Sequence, residues 1–94
     1  MSTANLTVSQ INAINTAAIV NAEGWVEGFS CPIDDHVAEQ AAILADGNGL
    51  DSIHADELAE RLGKRLTRKM EERVWPHYSA ALVRTVRELL AART

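Results

Sequence analysis

The sequence predicts an all-α protein, a small bundle of three to four helices. Three observations predict it. Alanine is abundant while aromatic residues make up 4% of the chain. Apolar residues recur at steps of three and four, and the residues that favour strands occur mainly inside those helical spacings. The 94 residues, 47% of them apolar, suit a single domain over 1–94 with one modest core.

The first helix is expected to begin at Thr7 or Ser9, either of which can cap a first turn. Val8, Ile11, Ile14, Ala18, Ile19 and Ala22 then form an inward stripe, with Asn12, Asn15 and Asn21 off it as an uncharged polar face. Gly24 and Gly28 bracket Trp25 and end or loosen this helix. Phe29-Ser30-Cys31-Pro32 connects to a second helix, with Pro32 at its start and Asp34 and Asp35 where the dipole favours anions. Ile33, Val37, Ala41 and Leu44 form its inward stripe, and Asp46-Gly47-Asn48-Gly49 stops it.

A third helix is expected to begin between Asp51 and His54, with acids early and bases late. Its apolar positions, Ala55, Leu58, Ala59, Leu62, Leu66, Met70 and Val74, fit one uninterrupted cylinder through Gly63. On that cylinder Arg61, Lys64, Arg65, Arg68, Lys69 and Arg73 form a basic outer face. The pattern resumes after Pro76 with Tyr78, Leu82, Val86, Leu89 and Leu90. Proline removes a helical hydrogen bond, so the long C-terminal helix is expected to be kinked or broken at Pro76. A continuous helix from 54 to 92 would be about 60 Å long and would leave its end unsupported in a monomer. A turn at Pro76 or a second subunit, in a homodimer or higher oligomer, would resolve that.

Charge divides the chain. Residues 1–60 carry ten acids and no Lys or Arg, whereas 61–94 carry nine bases and three acids, for a net charge of −4. Two surfaces emerge as candidate partner sites: an acidic one at Glu23, Glu27, Asp34, Asp35, Asp46 and Asp51, and the basic face of residues 61–73. The bland reading of the basic face is a solvated surface partly neutralised by the acidic half. Trp25, Phe29, Trp75 and Tyr78 supply most of the bulky core stock and are the expected anchors between segments.

Asp56–Gly63 resembles the first helix and turn glycine of a DNA-binding helix-turn-helix. That motif wants apolar residues just after the glycine and about five residues further on, where this chain has Lys64 and Arg68-Lys69. Asp46–Gly49 resembles the middle of a calcium loop, but either register puts apolar or wrong residues at ligand positions. His36, His54, His77 and the lone Cys31 lack metal-ligand spacing, and no nucleophile, base and stabiliser occur together. The expectation is therefore no enzyme, no metal and no cofactor.

The single cysteine, the absence of a basic start and apolar stretch in MSTANLTVSQ, and the lack of any long apolar window predict a cytoplasmic chain with no membrane span. The function expected is a small protein-protein interaction module, a regulator or inhibitor that binds a macromolecular partner. An acidic, base-free surface can occupy a nucleic-acid-binding groove by charge resemblance, and small phage-encoded inhibitors of host defence resemble this chain in size and charge. The alternatives are a nucleic-acid or nucleotide binder using the basic face, and a structural homo-oligomer subunit.

Overall fold

Capping chemistry sets where the helices start and stop. The structure, a computed structural model, describes residues 6–28 and 32–93. Helix α1 (Val8–Gly28) opens with a reciprocal box: Thr7 N donates to Gln10 Oε1 at 2.9 Å, and Gln10 N donates to Thr7 Oγ1 at 3.0 Å. Helix α2 (Ile33–Ala45) starts after Pro32 with Asp34 and Asp35 in its first turn. It ends where Gly47 takes a positive φ of 85° and its N–H bonds Leu44 O at 2.9 Å. Helix α3 (Ser52–Leu62) follows Asp51 and stops at Gly63, whose φ of 78° lets Gly63 N and Lys64 N both donate to Ala59 O. Thr67 then caps α4 (Arg68–Arg93), its Oγ1 accepting from Met70 N at 3.2 Å.

Among the described residues all regular structure is helical. Helix α1 packs along α4 and against α3, and α2 packs on α4. Ile14, Ala17, Ala18 and Ala22 of α1 share one buried cluster with Val74, Tyr78, Ala81, Leu82 and Val86 of α4 and Leu58 of α3. Small alanines on both sides of this seam let the helices approach closely. Each fully buried Leu or Val contributes about 1.5–3 kcal/mol. Helix α4, with 26 residues, is about 39 Å long, comparable to the 37 Å longest extent of the molecule.

Several sequence expectations are corrected here. The uninterrupted helix from 54 to 74 does not form, because Gly63 closes α3 in a left-handed conformation and residues 63–67 form a connector. Leu66 lies in that connector yet still packs against the core, which is how the apolar stripe survives the break. The chain does not break at Pro76, which lies inside α4. Pro76 and Glu72 are both exposed, so the Glu72 carbonyl that loses its helical donor faces water. In α1, Val8 and Ile19 point outward, 75% and 47% exposed, while Ala17 takes a buried place. In α2, Ala41 is exposed and Gln40 is buried in its stead. Phe29 and Cys31 lie outside the described residues.

Candidate functional site

The six basic residues of 61–73 do not share one helix face. Arg61 ends α3, Lys64 and Arg65 sit in the connector, and Arg68, Lys69 and Arg73 occupy the first two turns of α4. They gather at one corner of the bundle because the connector is short. Arg61 is paired with Glu57 one turn back, Nε to Oε2 at 2.6 Å. The other five are exposed, and among the described residues none has a carboxylate within 4 Å. Three of them precede or begin α4, where the positive end of the helix dipole disfavours further cations.

Beside this corner lies an open cleft of about 560 Å³ between α3 and the start of α4. Ala55, Ala59 and Leu66 supply apolar lining, and Asp56, Glu60, Arg65 and Glu71 supply charge. Glu71 is buried, and its Oε1 accepts from Leu50 N at 3.2 Å, tying the loop before α3 to α4.

The acidic residues fare differently. Asp34 takes Arg87 through one nitrogen, Nη2 donating to both Oδ1 and Oδ2 at 3.0 and 2.9 Å. Glu27 Oε2 takes Arg93 at 3.0 Å. Asp51 and Gln40 clasp each other, Gln40 Nε2 donating to Asp51 Oδ2 at 2.8 Å and Asp51 N donating to Gln40 Oε1 at 3.0 Å. Half of the expected acidic surface is thus engaged within the chain, while Glu23, Asp35 and Asp46 are exposed. The cations paired with the acidic half are therefore Arg87 and Arg93 toward the far end of α4 and, from the cluster of 61–73, Arg61 alone among the described residues. Glu23 and Glu27 edge a second, shallower cleft with Val26, Leu89 and Arg93.

Inside the bundle a polar chain joins all four helices. Asn21 Nδ2 of α1 donates to Tyr78 Oη of α4 at 2.7 Å and to Ile53 O of α3 at 3.1 Å. Tyr78 Oη lies 2.6 Å from His54 Nδ1, and His54 Nε2 lies 2.7 Å from His36 Nε2 of α2. Trp25 stacks obliquely on His36 with ring centres 4.6 Å apart, and Trp75 meets His54 edge-on at 6.3 Å. Burial, with His36 beside it, lowers the pKa of His54 to about 4 despite the pull of Asp51 in the other direction. Burial likewise pushes the Tyr78 phenol up, opposed by the hydrogen bond from Asn21. A further pair, His77 Nε2 and Asn15 Oδ1 at 3.0 Å, links α4 to α1.

The chain matches no family model, no curated protein and no solved structure.

Trp25, Trp75 and Tyr78 are all buried around this polar chain. Neither cleft is lined by His36, His54 or Tyr78, so the two clefts give no substrate a path to these groups. Among the described residues no group of three or more His, Cys, Asp or Glu is placed to hold a metal ion. Among the same residues no helix is long and apolar enough to cross a membrane. Sequence reading missed the polar chain because it spreads over four segments, with no motif to join them. One signal was present: His36 and Gln40 lie four residues apart, flanked by the apolar stripe of α2.

Proposed function

We propose that this chain is a protein-protein interaction module, regulatory in role, that docks an acidic surface of its partner. The contact would be the corner where α3 turns into α4. The observation that carries the reading is the set Lys64, Arg65, Arg68, Lys69 and Arg73, exposed and with no carboxylate within 4 Å among the described residues. Such a cluster raises the free energy of the isolated molecule, through like-charge repulsion and through cations set against the α4 dipole. An anionic partner reverses both effects on binding.

A protein fits this corner better than a nucleic acid. Asp56 and Glu60 line the same cleft as Arg65, and a continuous row of phosphates laid there would meet them. A folded acidic surface can place a basic side chain against that wall. The net charge of −4 further opposes a polyphosphate at long range.

Titration of a labelled polyglutamate peptide and of duplex DNA of matched charge, in low and moderate salt, tests the reading. The peptide is expected to bind more tightly, and Lys64→Glu with Lys69→Glu is expected to abolish binding. Tighter binding of DNA, lost in the same variant, would replace this reading with the nucleic-acid one. Binding unaffected by the double reversal would remove the corner from either.

A further inference from the structure

The protons of the buried chain can be assigned from its geometry. Asn21 faces the carbonyl of Ile53, which only accepts, so its amide nitrogen points that way and presents its second N–H to Tyr78 Oη. The Tyr78 hydroxyl proton then has one acceptor in reach, His54 Nδ1 at 2.6 Å. His54 must therefore carry its proton on Nε2 and donate it to His36 Nε2 at 2.7 Å. His36, accepting there, holds its own proton on Nδ1. In this arrangement each contact of the chain from Asn21 to His36 pairs one donor with one acceptor, in agreement with the absence of any orphaned buried side-chain polar atom among the described residues.

One added proton has no good place in it. Protonating His36 on Nε2 sets N–H against N–H across 2.7 Å. Reversing the chain relieves that clash only by making His54 donate to Tyr78 Oη, which already accepts from Asn21. The Tyr78 hydroxyl proton is then left without an acceptor at a fully buried position. An unmet buried polar group costs about 1–3 kcal/mol, and two charged rings in contact cost more. Opening the His36–His54 contact is the remaining response.

The element that would move is α2. Its buried apolar residues, Ile33 and Leu44, lie near its two ends. Between them only Val37, partly buried, adds apolar packing, and the polar ties of the middle are His36 to His54 of α3 and Gln40 to Asp51 just before it. Among the charged and titratable groups around the pair, α2 itself carries Asp35 beside His36 and Glu39 one turn on, both exposed. Helix α3 and its leading residue bring Asp51, which favours a proton on His54, and Glu57, whose charge bears on Tyr78. Helix α4 brings Tyr78 itself. Helix α1 brings Asn21 and Trp25, neither of which titrates. The ring nitrogens that join the pair face each other and the Tyr78 hydroxyl, not a carboxylate, so the pair lacks the partner that would let it hold a charge in place.

We propose that the His36–His54 contact is a proton-operated latch, closed when both rings are neutral and opened by acid to free the middle of α2 from the bundle. Trp25, stacked on His36, would be uncovered by the same movement.

Hydrogen exchange of wild type, corrected for intrinsic rates and compared between about pH 7.5 and pH 4.5, tests the latch. The amides of α2 are expected to lose protection by at least about tenfold more than those of α4, an added pK unit of coupling. His36→Gln, which keeps an acceptor for His54 Nε2–H but cannot titrate, is expected to remove that difference. Parallel loss of protection in α2 and α4, or an acid response of α2 that persists in the variant, overturns the proposal. Nitrogen-15 spectra of the wild-type rings provide a second reading that needs no variant. At neutral pH they are expected to show His54 protonated on Nε2 and His36 on Nδ1, and the opposite tautomers would overturn the assignment on which the latch rests.

Discussion

Tyr78 is the residue on which most of the interior depends, since its hydroxyl oxygen accepts from Asn21 while its proton goes to His54. Tyr78→Phe preserves the ring contacts with His54 and Trp75 but strands one N–H and one ring nitrogen in a buried place. The expected cost is about 1–3 kcal/mol, read as a lower urea midpoint at unchanged slope. His54 makes the stability depend on pH with a definite sign. Its folded pKa lies at about 4 against an ordinary value of 6.5, so between these values the unfolded chain takes up a proton that the folded chain refuses. Stability is therefore complete above pH 6.5 and falls as pH drops toward 4. One pK unit is about 1.36 kcal/mol, which makes the full loss from this group about 3 kcal/mol. Denaturation at a series of pH values checks it, and a flat profile across that window would show that His54 titrates normally. Tyr78 was legible in the sequence as an anchor between segments, but the polar partners of its hydroxyl were not. Asn15 and Asn21 read there as an outward polar face, yet both are half-buried and bonded to α4. A polar residue on an inward face looks like one on an outward face until its partner, dozens of residues away, is known.

At the scale of elements the sequence was informative about what forms and weaker about where it stops. The four helical segments follow from apolar spacing, and the turn at Gly47 follows from its neighbours Asp46 and Asn48. The break at Gly63 was masked because Leu62, Leu66, Met70 and Val74 keep a four-residue step across it. The local signals for a break were nevertheless there: a glycine able to take a positive φ, and Thr67 able to cap the next helix. Pro76 carried the louder signal, but its missing N–H falls on an exposed side of α4, where water replaces the lost bond at modest cost. Two glycine substitutions separate backbone conformation from space, since an added Cβ meets nothing within 4 Å at Gly63 or at Gly24. Gly63→Ala must place a side chain in the left-handed region and is expected to cost about 1–2 kcal/mol. Gly24→Ala, inside α1, is expected to stabilise by about 0.5–1 kcal/mol. Thermal midpoints moving in opposite directions would bear this out, and a common direction would refute the assigned end of α3.

Over the whole molecule, charge is arranged along α4 in two different ways. Its last turns carry Arg87 and Arg93, matched to Asp34 and Glu27 across the bundle. These pairs are half-exposed or more, so each contributes less than about 1 kcal/mol and serves to satisfy charge more than to hold helices together. Its first turns carry Arg68, Lys69 and Arg73, which the fold leaves unmatched among the described residues. The sequence made the imbalance visible as a count but not which cations meet which acids, because ion pairing depends on which helix ends meet in space. If the unmatched corner exists for a partner, stability and binding should respond to the same substitution with opposite signs. Lys69→Glu replaces a cation with an anion in the first turn of α4, beside the positive end of its dipole. The isolated protein is then expected to gain about 0.3–1 kcal/mol at low ionic strength, with the gain shrinking as salt is added. Binding of an acidic peptide is expected to weaken in the same variant. A solvated corner with no role would show the gain in stability without the loss of binding, whereas a corner that braces the fold would show a loss of stability instead. Urea denaturation and peptide titration of this one variant therefore distinguish a surface kept for a partner from one kept for the fold.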